Sequence, residues 1–128
     1  MNVPEDLRYS TDHEWARRDG DVVRIGITDY AQDALGDVVY VQLPTVGLVV
    51  QAGERICEVE STKSVSDICA PVAGVVAAVN EALEGDTALL NNDPYGDGWI
   101  CEIRTDGSAG SGFDALLDAA AYTQLTEG

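Results

Sequence analysis

Apolar and polar positions alternate with a period of two in short runs, each cut off by glycine or proline. Val23, Ile25 and Ile27 alternate within Val22–Ile27, which predicts a half-buried strand. Asp29–Leu35 breaks that period. Asp29 followed by Gln32 has capping-box spacing and Gly36 supplies a stop, so a short helix is expected there. Alternation resumes over Asp37–Leu43, with Val39, Val41 and Leu43 on one expected face and Val38, Tyr40 and Gln42 on the other, until Pro44. Further strands are expected at Leu48–Gln51, Arg55–Glu60, Val65–Cys69, Gly74–Asn80 and Trp99–Ile103, with a turn cluster at Asn91–Gly98. Thr105–Gly112 reads as a linker. Beyond it Phe113, Leu116, Leu117, Ala120 and Ala121 share helical spacing, predicting a C-terminal helix over 113–122 that docks by one apolar stripe. Pro44-x-x-Gly47-Leu-Val49 and Pro71-x-x-Gly74-Val-Val76 echo one another, which suits a small sandwich with two related halves.

Composition narrows what such a β-rich chain can do. Its 128 residues suit a single domain, and 45% hydrophobic content is too high for a disordered acidic tail. With 23 acidic against 7 basic residues the formal charge is −16, which argues against nucleic acid and anionic membrane as partners, since both demand a positive face. No run approaches the ~20 apolar residues of a membrane span. The first residues lack the basic start and apolar centre of a secretory signal. Three cysteines (Cys57, Cys69, Cys101) without Cys-x-x-Cys spacing fit reduced thiols in a cytoplasmic protein. His13 is the one histidine, too few for an ordinary zinc site, and with no nucleophile partner in view it is expected to fix its loop. Asn91–Asp97 is rich in oxygen ligands but lacks the spacing of a calcium loop. Six of the seven basic residues are arginines, and the remaining one is Lys63.

Lys63 falls in a small polar segment, Ser61-Thr62-Lys63-Ser64, flanked by strand-like residues, so it is expected at a hairpin tip. Glu58, Glu60 and Asp67 surround it and favour the charged ammonium, which makes the free amine a poor nucleophile and disfavours imine chemistry. Two readings remain on these residues: a solvated lysine balancing acids, or an exposed covalent attachment point activated by another enzyme.

The run Glu60-Ser-Thr-Lys-Ser-Val-Ser-Asp-Ile-Cys-Ala-Pro-Val-Ala-Gly74 resembles the lipoyl-attachment segment of the glycine cleavage system H protein family. So do Tyr9-Ser-Thr-Asp-His-Glu-Trp15, Gly26-Ile-Thr-Asp-Tyr-Ala31, Leu35-Gly-Asp-Val-Val39, Asn92-Asp-Pro-Tyr-Gly-Asp-Gly-Trp99 and the tail Leu116–Tyr122, which together cover nearly the whole chain in order. Departures are Thr62 where the family often has valine, Cys69 where a large residue is common, and Thr87-Ala88 in place of a proline-containing sequence. Biotin carriers would show Met-Lys-Met at the tip, and acyltransferase lipoyl domains Asp-Lys-Ala with a long linker.

The resemblance implies a mainly β lipoyl/biotinyl-type barrel–sandwich hybrid (a hammerhead fold) with short flanking helices and a C-terminal helix, one carrier domain over 1–128. It implies lipoate in amide linkage to Lys63 and no catalytic activity of the chain's own. The arm would receive an aminomethyl group from a pyridoxal-phosphate glycine decarboxylase and deliver it to a tetrahydrofolate-dependent aminomethyltransferase. A flavin-dependent dihydrolipoamide dehydrogenase would reoxidise it, and lipoylating enzymes would attach it. A lipoyl relay, or service to a 2-oxoacid dehydrogenase complex, is the alternative. A protonated aminomethyl group seeks carboxylate or hydroxyl acceptors. Glu14 is the first candidate, then Asp67, with Asp12 and Ser61 as weaker ones.

Overall fold

The computed structural model describes residues 3–105, 113 and 115–127. Among the described residues, nine strands form two antiparallel sheets around a shared apolar core. In chain order they are β1 (Arg8–Tyr9), β2 (Glu14–Asp19), β3 (Val22–Ile27), β4 (Val38–Gln42), β5 (Val49–Val50), β6 (Arg55–Ser61), β7 (Val65–Cys69), β8 (Gly74–Val79) and β9 (Cys101–Arg104). The larger sheet runs β1-β2-β3-β9-β8-β5 and the smaller β4-β6-β7. Ile25, Val76 and Ile103 from the first sheet meet Val41, Val59 and Ile68 from the second, all nearly inaccessible to solvent. Burial on this scale stabilises by roughly 25 cal/mol per Å² of apolar surface removed from water, which is what the period-two pattern encodes.

Helix α1 (Asp29–Leu35) occupies its expected span, but the cap sits one residue earlier. The Thr28 hydroxyl accepts from the Ala31 N–H at 3.1 Å, while Asp29 and Gln32 pair through their side chains at 2.8 Å. Gly36 closes it with φ of 80°, a conformation that favours glycine. Two short helices, α2 (Ala82–Gly85) and α3 (Leu89–Asn92), follow β8. Neither carries an amphipathic run long enough to be seen in the sequence, and α3 takes Asn91 and Asn92 out of the expected turn cluster.

Two expectations need correction. Alternation over 37–43 fails because a β-bulge between Val38 and Tyr40 shifts the register against β6. Val38 and Val41 therefore both point inward, and Val39 and Tyr40 are both more than half exposed. The C-terminal helix α4 runs Ala119–Glu127 rather than 113–122. Leu117 exchanges two 2.8 Å backbone hydrogen bonds with Tyr9 as a β-bridge, and Asp118 then caps the helix by accepting from the Ala121 N–H at 2.8 Å. A residue whose amide and carbonyl serve a bridge cannot also serve a helix. The first strands β1 and β2 carry too few residues of clear alternation to be seen in advance. Residues 106–112 of the expected linker lie outside the described residues.

The two echoing segments lie side by side. Val49 pairs with Val75 and Val50 with Gly74, and the Gly47 N–H donates to the Val76 carbonyl at 2.8 Å. A Cβ on Gly74 would sit 2.3 Å from the Arg104 carbonyl oxygen, so this position tolerates only glycine. With β5 at its edge the larger sheet ends there, and the β6–β7 hairpin of the smaller sheet projects Lys63.

Candidate functional site

Strands β6 and β7 pair from Arg55–Cys69 to Glu60–Val65, leaving Thr62, Lys63 and Ser64 as the connecting turn. Ser61 organises it. Its buried hydroxyl accepts from the Ser64 N–H at 3.1 Å and the Lys63 N–H at 3.3 Å, and donates to the Ser64 carbonyl at 3.2 Å. The Ser61 N–H donates to that same carbonyl at 2.8 Å. With its hydroxyl so engaged, Ser61 serves the lysine turn. Lys63 is exposed, and its stem leans on the end of α1, with Cε 3.2 Å from where a Cβ on Gly36 would stand.

The turn is also held from outside. The Thr62 N–H donates to the Asp37 carbonyl at 3.0 Å. Asn91 of α3 clamps the residues on either side of that carbonyl: its Nδ2 donates to the Gly36 carbonyl at 2.8 Å and to Gln32 Oε1 at 3.2 Å, and its Oδ1 accepts from the Val38 N–H at 3.0 Å. One side chain thus fixes the loop on which the lysine turn rests. Sequence reading missed Asn91, because nothing local distinguishes it from its neighbours in a turn-rich run.

Beside the turn a cleft of about 240 Å³ runs between α1 and β7, with Ile27, Ala31, Leu35, Val65 and Ile68 among its walls. Asp12 and His13 stand at its amino-terminal side. Behind them Glu14 is 1% exposed, accepting from the Ser10 hydroxyl at 2.6 Å and the Cys69 N–H at 3.2 Å. The carboxylates of Asp12 and Glu14 and the Cys69 sulfur lie within 4.8 Å of one another. Burial pushes the Glu14 carboxyl up from the ordinary range to about 7, against the opposing pull of its two hydrogen bonds. Burial, followed by the negative charge of Glu14, also raises the Cys69 thiol. Asp67 is elsewhere: it is exposed and accepts from Arg55 across the β6–β7 ladder at 3.0 Å, with Arg55 also binding Glu58 three residues along its own strand. The structure therefore brings Glu14 and Asp12 together beside the cleft and turns Asp67 outward.

A second network fixes the cleft's helical wall. His13 has φ of 68°, stacks on Tyr30 at 4.6 Å between ring centroids, and shares a 2.8 Å hydrogen bond with the Tyr122 hydroxyl. That hydroxyl also bonds Thr28, the cap of α1, at 2.7 Å. Burial lowers the His13 pKa, keeping the ring neutral in this role. Tyr122 is wholly buried and stacks on Tyr9, so α4 reaches the cleft wall through one phenol. Trp15 is core, its Nε1–H donating to the Pro94 carbonyl at 2.8 Å.

An exposed lone lysine on a three-residue turn, beside an apolar cleft with a buried carboxyl behind it, suits an attached group that swings. The sequence profile of the glycine cleavage H-protein family matches residues 7–128. The chain belongs to that family. Among its relatives, the glycine cleavage system H protein of Mycobacterium bovis (strain BCG / Pasteur 1173P2) is 57% identical over 132 residues, covering 98% of each chain. That of Mycobacterium avium (strain 104) is 58% identical over 130 residues, again covering 98% of both. The crystal structure of a glycine cleavage system H protein from Mycobacterium marinum superposes with a TM-score of 0.89 at 43% identity, covering 98% of this chain and 99% of that one. The family carries lipoate and works with the enzymes of the glycine cleavage system, so the chain is a lipoyl carrier of that system. Its two open sheets and C-terminal helix are the family's fold. No helix among the described residues is long and apolar enough to cross a membrane.

Proposed function

We propose that Lys63 bears the lipoyl group in amide linkage and that residues 1–128 act as one carrier domain, without catalysis of its own, in the cytoplasm. The observation that carries this is the chain's sole lysine at the apex of a rigid hairpin, exposed and next to an apolar cleft. The arm takes an aminomethyl group from the pyridoxal-phosphate glycine decarboxylase. It then presents that group to the tetrahydrofolate-dependent aminomethyltransferase, and dihydrolipoamide dehydrogenase, with its FAD, restores the dithiolane. Tethering raises the effective concentration of the intermediate at each station without releasing it.

The cleft gives the loaded arm a resting place. Its apolar walls limit access of water to a group prone to hydrolysis. The aminomethyl nitrogen is a cation near neutral pH, and Glu14 is a buried carboxyl whose closest neighbours are a hydroxyl, an amide and the acid Asp12. An arriving ammonium supplies the missing counter-charge, so Glu14 ionises as the arm docks. Asp12 adds negative charge at the cleft itself. Asp67 stays with Arg55 unless the turn rearranges, and Ser61 acts through the turn.

Intact-mass measurement on protein from its native host tests the assignment. One lipoyl group is expected per chain, absent from Lys63→Arg with its melting temperature unchanged. An unmodified wild type, or a lipoyl group retained by Lys63→Arg, overturns it.

A further inference from the structure

A second concavity lies on the other flank of the lysine hairpin. It is a groove of about 540 Å³ along β4, with Val39, Tyr40, Leu43 and Val79 forming apolar surface and Glu81 and Glu84 among the residues that line it. The bulge at Val39 makes this surface. In a regular strand one of two consecutive residues would turn inward, yet Val39 is 53% and Tyr40 55% exposed. Bulges recur where a strand re-aims side chains beside a functional site. Here β4 is an edge strand, and its partner is the strand that leads to the lysine: Val38 pairs with Ser61 and Tyr40 with Glu60.

We infer that this groove is the docking surface for the enzyme that acylates Lys63, which seats an apolar side chain flanked by cationic residues. The inference rests on Lys63 being the attachment site. Enzymes that act on a finished arm can stand an arm's length from the turn, but the one that forms the amide must bring its activated acyl group to Nζ itself. Its footprint is centred on the turn, whose three small or flexible residues offer little area. A stable contact covers about 800 Å² per partner, a disc of roughly 16 Å radius. Tyr40 faces Glu60, three residues from the lysine or about 10 Å of extended chain, so the groove falls inside that disc. Charge fixes the occupant's character. Glu81 and Glu84 in the lining, with Glu60 and Asp37 exposed nearby, call for cations around the apolar anchor. In the reaction the free amine of Nζ forms the C–N bond to the lipoyl carbonyl, AMP leaves from the lipoyl adenylate, and an amine proton passes to solvent.

The test uses full-length unmodified protein with a lipoate ligase, ATP and lipoate, following acylation of Lys63 by intact mass. Tyr40→Ser and Glu84→Lys, both at exposed positions, are expected to raise KM at least roughly tenfold with kcat within about twofold. Val49→Ser, exposed on β5 at the edge of the other sheet, is expected to leave KM within about twofold. Calorimetric binding of the unmodified protein to the ligase without ATP should weaken in the same two groove variants. Wild type acylated normally, with KM and binding unchanged in both groove variants, overturns the groove alone. Wild type that takes no acyl group on Lys63 overturns the attachment reading and this inference with it.

Discussion

The lysine turn and the Glu14 site reach the same cleft through Ser64 and Asp12, and they are built in opposite ways. Ser61, Lys63 and Ser64 satisfy one another within four consecutive residues, and most of the turn faces water. Glu14 is assembled from Ser10, Asp12 and Cys69, the last of these 55 residues away on the other sheet. The difference is one of solvent. A strained or altered turn can recruit water for its amides, whereas a buried carboxyl must find its partners in the protein or change its protonation. A change at the lysine turn therefore costs little, and one at the Glu14 site costs much.

The largest effect that tests this contrast belongs to Glu14. Its carboxyl titrates near 7 when folded against 4.5 as the ordinary value, so the folded chain holds a proton that the unfolded chain has released between those limits. Stability from this group is full below about pH 4.5, falls as pH rises, and is lost above about 7, a change of roughly 3 kcal/mol. Glu14→Gln should flatten that slope in denaturant titrations from pH 4.5 to 8 and accelerate hydrolysis of the aminomethyl-loaded arm. An unchanged slope would mean that Glu14 is not buried as a lone acid, and unchanged hydrolysis would remove it from the docking site.

Next comes Asn91, which supports the lysine turn from α3. Asn91→Ala leaves the Val38 N–H and the Gly36 carbonyl without their partners and should cost about 2–3 kcal/mol. Because the Thr62 N–H rests on the loop between them, its hydrogen exchange should speed up more than that of the β6–β7 ladder. Equal acceleration throughout would show that Asn91 stabilises the domain without positioning the turn.

How far the sequence disclosed these features follows the same division. The spans of β3, α1 and β7 were legible to the residue, since alternation, cap and glycine stop are local signals. So was the lysine's place at a tip. The bulge at Val39 was not, because nothing in Val38-Val39-Tyr40-Val41 says which residue is extra until β6 pairs with it. Helix α4 was displaced for a like reason: the apolar spacing from Phe113 is real, but Tyr9, more than a hundred residues earlier, claims the backbone of Leu117. Glu14 could be nominated from its motif, yet its burial and its Cys69 partner could not. Asn91 and Tyr122 gave no local sign of their roles, since each acts on segments distant in sequence.

Tyr122→Phe probes the long-range side with a smaller change. It removes one oxygen that serves His13 and Thr28 while keeping the ring stacked on Tyr9. A loss of about 1–2 kcal/mol is expected in denaturant melts, with the Ala31 amide at the start of α1 exchanging faster. If the Ala31 amide is untouched, α4 does not brace the cleft through the Thr28 cap.

The smallest effect should be Ser61→Ala, and it decides whether the turn is as self-contained as its hydrogen bonds suggest. The substitution removes an acceptor for two amides, those of Lys63 and Ser64, but both residues are exposed and water can take its place. The backbone bond from the Ser61 N–H to the Ser64 carbonyl survives, as does the support of Thr62 by Asp37. The expected cost is therefore about 1 kcal/mol or less, with faster exchange confined to residues 63 and 64 and lipoylation of Lys63 slowed by less than about threefold. A cost near that of Asn91→Ala would mean that the turn draws its order from the buried hydroxyl alone. In that case the attachment point would belong with the Glu14 site, as a structure that water cannot repair.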